Sequence, residues 1–311
     1  MKNTIIAIIV LLVVGFGVYY VLQKSSETTK VDNKISDAGS LESDDVLPVE
    51  PDGGIGDGAD PLPKIVDDTK TVFGRSVDGN DLTAYHFGSG DTEVLFVGGI
   101  HGGYSWNTVL VAYELMDYLE ANPDKIPDNV KVSVIPVLNP DGLEKVTGKL
   151  GQFSPSDVSG NTVAGRFNAN DVDLNRNFDC QWQEKGTWQN KTVSGGSAPF
   201  SEPEADAMRG YIESKNPAAV ITWYSAAGGV YSSSCNNGVS AETKELTKLY
   251  AEASGYKGYE EFDYYAITGD MVNWLAKEGV PAISVLLTTH TDTEWSKNLK
   301  GIEAILNHYA E

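Results

Sequence analysis

From residue 64 onward, short apolar runs alternate with stretches of helical periodicity, and this alternation restricts the possible folds more than any other feature of the chain. Residues 94–98, 132–138, 219–223 and 282–287 are brief, Val/Ile/Leu-rich runs bounded by glycine or polar residues, the pattern of buried strands. Between and after them, residues 109–118, 202–214, 241–254, 269–277 and 298–309 repeat apolar side chains at helical spacing. Strands separated by helices pair in parallel through crossovers. The expected fold is therefore α/β, with a mixed, largely parallel central sheet and helices on both faces. Asn139-Pro140-Asp141-Gly142 reads as a turn closing the second run. Sites in such sheets form where strand carboxyl ends meet loops. His101, Tyr224 and the segment after Leu287 each follow a predicted strand, so they are expected at one edge.

The preceding residues cannot belong to this sheet. Residues 4–22 carry no charge and are mostly Ile, Val and Leu. Nineteen helical residues span about 29 Å, close to the hydrocarbon thickness of a bilayer. Bulky Tyr19, Tyr20, Val21 and Leu22 offer no small-residue cleavage site. Residues 1–24 are therefore read as an uncleaved transmembrane anchor, with the membrane as a partner and the domain on the extracytoplasmic side. Residues 25–63 hold ten acidic residues and two lysines among few large apolar ones, the composition of a disordered acidic linker. Residues 64–311 form the globular domain. The net charge of −21 argues against a nucleic-acid partner. Cys180 and Cys235 are too few for a disulfide framework, and one bridge or two free thiols both remain open.

Several short motifs occur in order along the domain: Gly74-Arg75-Ser76-Val77-Asp78-Gly79, Gly98-Gly99-Ile100-His101-Gly102-Gly103, Asn139-Pro140-Asp141-Gly142, Val172-Asp173-Leu174-Asn175-Arg176-Asn177-Phe178 and Pro199-Phe200-Ser201-Glu202-Pro203-Glu204. On these motifs, residues 70–308 resemble the zinc metallocarboxypeptidases of the carboxypeptidase A type. The resemblance implies a zinc cofactor and a peptide partner with a free C-terminal carboxylate. It makes His101 the first zinc ligand. Asn175 and Arg176 become the carboxylate clamp, a role that suits the planar guanidinium fork and the neutral amide. Arg166 would polarise the scissile carbonyl, and Tyr265 would close over the substrate. Val272, two residues before Trp274, would floor the side-chain pocket and favour an apolar C-terminal residue.

The same comparison exposes departures. The second zinc ligand, a Glu three residues after the first, falls on Tyr104, with Ser105 next to it. The distant His falls on Tyr224, and the Glu base on Leu286 or Leu287. A phenol is a poor zinc ligand, and leucine takes no proton. Two readings follow. In the first, the loop after the last strand supplies substitutes: His290 with His101 as ligands, and Glu294 or Asp292 as the carboxylate. In the second, the domain is a binding module that keeps the clamp and has lost hydrolysis. A serine hydrolase built on Ser105 beside His101 lacks a nucleophile-elbow motif. His86 and His308 read as structural.

Overall fold

A computed structural model describes residues 68–310. The expected anchor at residues 1–24 and the whole of the expected acidic linker at residues 25–63 lie outside the described residues. Among the described residues, no helix is long and apolar enough to cross a membrane.

The strands are β1 (Lys70–Arg75), β2 (Asp81–Phe87), β3 (Thr92–Val97), β4 (Val130–Ile135), β5 (Lys185–Trp188), β6 (Lys191–Ser194), β7 (Ala219–Ser225), β8 (Gly229–Ser232), β9 (Gly258–Tyr259) and β10 (Ala282–Leu287). The helices are α1 (Trp106–Ala121), α2 (Pro140–Thr147), α3 (Pro203–Lys215), α4 (Ala241–Ser254), α5 (Met271–Lys277) and α6 (Trp295–His308). Eight strands form one sheet in the order β1-β2-β4-β3-β7-β10-β8-β9, and β5 and β6 form a separate hairpin. The central strands β4, β3, β7 and β10 run parallel, and β2 and β8 flank them antiparallel. The expected mixed, largely parallel sheet is therefore present.

Side-chain alternation along the strands sorts the core into two layers. Ile221, Trp223, Val285 and Leu287 pack with α1, α4 and α6 on one face, through Leu115, Leu246 and Ile302. Val220, Tyr224 and Leu286 pack on the other face with α3 and α5, through Met208 and Trp274. This register settles the choice between the two leucines. Leu287 is committed to the first layer. Leu286 stands on the same face as Tyr224, its direct partner on β7.

The motif Asn139-Pro140-Asp141-Gly142 corrects the sequence reading. It starts helix α2 instead of closing a turn. Asn139 is the N-cap and its side chain accepts from the Gly142 N–H, while Pro140 fills the first helical position, where no N–H is needed. Asp141 then ties this helix start to the loop after β1, accepting from Ser76 Oγ, Asn80 Nδ2 and the Asp78 N–H. The cysteines are resolved as well: Cys180 and Cys235 form a disulfide.

Candidate functional site

The carboxyl ends of β3, β7 and β10 open into a cavity of about 1150 Å³. It brings together His101, Tyr104, Arg166, Asn175, Arg176, Tyr224, Tyr265, Val272, Leu286 and His290. Three other singled-out residues are placed elsewhere. Ser105 begins α1, 1% exposed and away from the cavity, so it cannot meet a substrate. Leu287 faces the opposite layer. Glu294 turns back on its own loop, accepting from the Thr288 N–H and hydroxyl and from Lys297.

At the floor lies a buried network centred on Asp173. Its Oδ1 accepts from His101 Nε2 at 2.9 Å and from the Asn175 N–H at 3.1 Å. Its Oδ2 accepts from Arg166 Nε at 2.9 Å and Nη2 at 2.7 Å. Burial alone would raise the Asp173 pKa. The Arg166 charge and the His101 hydrogen bond override it and hold the group well below the carboxylate range. His101 Nδ1 faces Arg166 Nη1 at 3.4 Å. A carboxylate only accepts and a guanidinium only donates, so these partners assign the neutral tautomer with the proton on Nε2. Burial, with the Arg166 charge alongside, lowers the His101 pKa from 6.5 to about 4.

Folding stability should record this. Because the folded-state pKa of this base is depressed, the unfolded chain takes up its proton first as pH falls. The contribution is whole above about pH 6.5 and drains away down to about pH 4, a loss of about 3 kcal/mol. His101→Gln retains a donor and an acceptor without titrating. Denaturant melts of this variant should lose the slope between those pH values, and an unchanged slope would show that other groups cause it.

Asn175 and Arg176, the expected carboxylate clamp, sit beside this network. Arg176 is 1% exposed. Its Nε and Nη2 donate to the Thr187 carbonyl on β5, at 3.2 and 2.8 Å, and Nη1 donates to the Asn175 carbonyl. Gly269, with φ of +65°, packs against the Arg176 backbone, where any Cβ would come within 2.2 Å of its carbonyl oxygen. The Asn175 side chain donates to Asp270 Oδ2 and accepts from the Met271 N–H and from the Tyr224 hydroxyl at 3.2 Å. Tyr224, at the distant-histidine position, thus braces the Asn175 side chain. Removing that hydroxyl in Tyr224→Phe should loosen Asn175 and, if Asn175 binds a carboxylate as the resemblance implies, weaken that binding about fivefold, from a net hydrogen bond of ~1 kcal/mol. Calorimetry would detect this, and unchanged affinity would remove Tyr224 from the clamp.

The zinc expectation meets an unsuitable donor set. Burial raises the Tyr224 pKa far above 10, so it stays a phenol. Burial also raises that of Tyr104. The imidazole nitrogen of His101 left over from Asp173 is turned toward a cation. The substitute set of His101, His290 and a carboxylate is not assembled either. His290 Nδ1 pairs with the Ser225 hydroxyl at 3.1 Å, and its ring packs on Tyr104 at 4.5 Å. Asp292 Oδ1 accepts from the Glu294 N–H. Among the described residues, no group of three His, Cys, Asp or Glu side chains is placed to hold a metal. The two remaining histidines are structural in position: His86 bridges Thr71 and Ser133, and His308 pairs with Glu242.

Sequence reasoning missed three residues here. Asp173 had a visible signal, an acid between the apolar Val172 and Leu174 within the best motif. Trp188, whose ring lies 4.3 Å from Arg166 Cζ, sits in a short polar hairpin without one. Asp270 caps α5 through the Asn273 N–H and holds Asn175.

A sheet of this order, with its site at the carboxyl ends of the parallel strands, defines a carboxypeptidase-like α/β protein. The family described as zinc carboxypeptidase matches residues 63–298, and the chain belongs to that family, whose members act on peptides. Among curated relatives, it is 24% identical over 220 residues to gamma-D-glutamyl-L-diamino acid endopeptidase 1 of Lysinibacillus sphaericus, covering 63% of this chain and 55% of that protein. It is 31% identical over 170 residues to carboxypeptidase O of Bos taurus, covering 49% and 44% respectively. The chain thus spans about half the length of these two relatives. Among solved structures, bovine thrombin-activatable fibrinolysis inhibitor, in complex with tick carboxypeptidase inhibitor, aligns with a TM-score of 0.60 at 17% identity, over 77% of this chain and 89% of that one. Murein-tripeptide amidase MpaA from Escherichia coli O157 aligns with a TM-score of 0.53 at 19% identity, over 78% and 92%. At these identities the structures establish the shared fold.

Proposed function

We propose that this domain is a non-hydrolysing receptor for peptide C-termini. The supporting observation is the state of Arg176. It is buried in the cavity floor, and three of its five N–H donors are taken by the Thr187 and Asn175 carbonyls. It has no carboxylate partner among the described residues, so two donors and a full positive charge remain for a ligand. A C-terminal carboxylate supplies the two acceptors and the charge. Hydrolysis has no support from the residues present. Leu286 occupies the face where the base belongs, and Tyr104 and Tyr224 stand at ligand positions.

Val272 and Leu286 give the cavity an apolar wall. Both oxygens of nearby Asp270 are engaged by Asn175 and Asn273. An uncharged, apolar C-terminal side chain fits best. Residues 4–22 serve in this reading as the membrane anchor that presents the receptor outside the cell membrane, and the disulfide suits an oxidising compartment.

The test compares a peptide ending in a free carboxylate with its C-terminal amide, binding to the full chain by calorimetry. The free peptide should bind at least about tenfold more tightly and be recovered intact. Equal binding of the two forms would end the receptor reading, and chelator-sensitive release of the last residue would end its non-hydrolysing part.

A further inference from the structure

The family's ligand positions are not left vacant in this chain; each has acquired another partner. Tyr224 is spent on Asn175. Tyr104 turns its ring toward Arg166, with 5.6 Å from the guanidinium carbon to the ring centre, and meets Trp188 edge-on. His101, the one position where this chain carries the expected donor type, directs its remaining nitrogen at Arg166 Nη1. Two of the three ligand positions therefore surround the same guanidinium. The rest of its environment has the same character: the Asp173 carboxylate on one edge and the Trp188 face at 4.3 Å. Acceptors and π faces are what a guanidinium requires.

We infer that Arg166 is the resident cation of this pocket, standing in the metal's place and closing it to zinc. A metal ion approaching His101 must take the nitrogen that accepts from Nη1, and must do so beside a fixed positive charge. Asp173 cannot be recruited to offset that charge, because both its oxygens are already committed to Arg166, His101 and the Asn175 N–H. The guanidinium itself is pinned on three sides, so it does not swing away as an exposed arginine would. Ligand binding in this pocket is accordingly independent of metal and indifferent to chelators. The inference rests on the receptor reading of the same cavity, but the two are tested apart: one by zinc, the other by the peptide carboxyl group.

The probe is zinc alone, titrated into the full chain. Two signals are followed: the imidazole ¹⁵N resonances of His101 and the fluorescence of Trp188, which changes if the stacked cation leaves. In the parent chain both should stay fixed through excess zinc, and no stoichiometric metal should remain after dialysis. Arg166→Met removes the charge and keeps an apolar stem over Trp188. Because one histidine alone does not hold zinc, the change is made together with Tyr104→Glu and Tyr224→His, which restore the two missing donors. Zinc should then shift the His101 resonances, and His101→Gln in the same background should abolish the uptake. The Tyr104→Glu, Tyr224→His chain that still carries Arg166 should stay blind. Stoichiometric zinc on the parent chain that moves His101 would overturn the inference, as would a folded chain with all three substitutions as blind to zinc as the parent, or zinc uptake by the Tyr104→Glu, Tyr224→His chain that still carries Arg166. Should Arg166→Met fail to fold, the parent chain still decides. Its Nδ1 must carry the ¹⁵N shift of an unprotonated, metal-free acceptor, and its Arg166 Nε–H must exchange slowly. A metal-shifted Nδ1 or a rapidly exchanging Nε–H would refute the assignment.

Discussion

Arg176→Ala should weaken binding of a free-carboxylate peptide by at least about thirtyfold, while the amide-capped peptide changes little. Truncating one partner of a buried charge-assisted pair costs ~2–5 kcal/mol, and the lower end of that range gives the thirtyfold figure. The large effect follows from burial: at 1% exposure, no water replaces the lost donors. The same guanidinium also holds the Thr187 and Asn175 carbonyls, so the variant will lose some stability as well. The ratio of free to capped affinity separates the two effects, since lost stability lowers both affinities together. Arg176→Lys keeps the charge and loses the fork, and should fall between. A parallel decline in both peptides for Arg176→Ala would mean that the arginine only supports the fold.

The second large effect concerns the disulfide. It closes a loop of 55 residues in sequence, which in the chain-entropy description stabilises the fold by about 4 kcal/mol. The paired change Cys180→Ser with Cys235→Ser should therefore lower the melting temperature by roughly 10 °C for a domain of this size. Reductant should produce the same fall in the parent chain and none in the variant. The bridge is also linked to Arg176. The Cys180 carbonyl accepts from the Gly269 N–H, and the Phe178 N–H donates back to Gly269, which packs on Arg176. Peptide affinity should fall with the melting temperature. Identical melting of parent and variant would show that the bridge contributes nothing to the folded domain.

Much of this architecture was readable because burial on both faces leaves a strong trace. Strands β3, β4, β7 and β10 are mostly apolar and almost wholly buried, and they were found close to their observed limits. Strands β5, β6, β8 and β9 were not. They are short, rich in Gly, Ser, Thr and Lys, and held by pairing and neighbours instead of by an apolar run. The turn assigned at Asn139-Pro140 failed because the same residues that break a strand also begin a helix, and only the following Leu143 and Val146 favour the second outcome. In the site, the arginines, Asn175 and His101 were legible from their motifs. The side chosen by Leu286 was not, because one residue of register reverses every side chain and only the pairing with Tyr224 fixes it. Glu294 misled for a related reason. A carboxylate just beyond a strand end is as able to cap its own backbone as to face a cavity.

The β5–β6 hairpin handles both arginines within two successive residues. Thr187 offers its carbonyl to Arg176, and Trp188 lays its ring over Arg166. Gly186, one position earlier, is so close that an added Cβ would lie 2.8 Å from Arg176 Cδ. A slip of one residue along β5 would push the Thr187 side chain into the space only glycine fits and turn Trp188 away from its cation. The anchorages of the two charges are thus mechanically one part. A length change in this four-residue strand cannot disturb one guanidinium and spare the other, so drift in the hairpin would be read at both ends of the pocket at once.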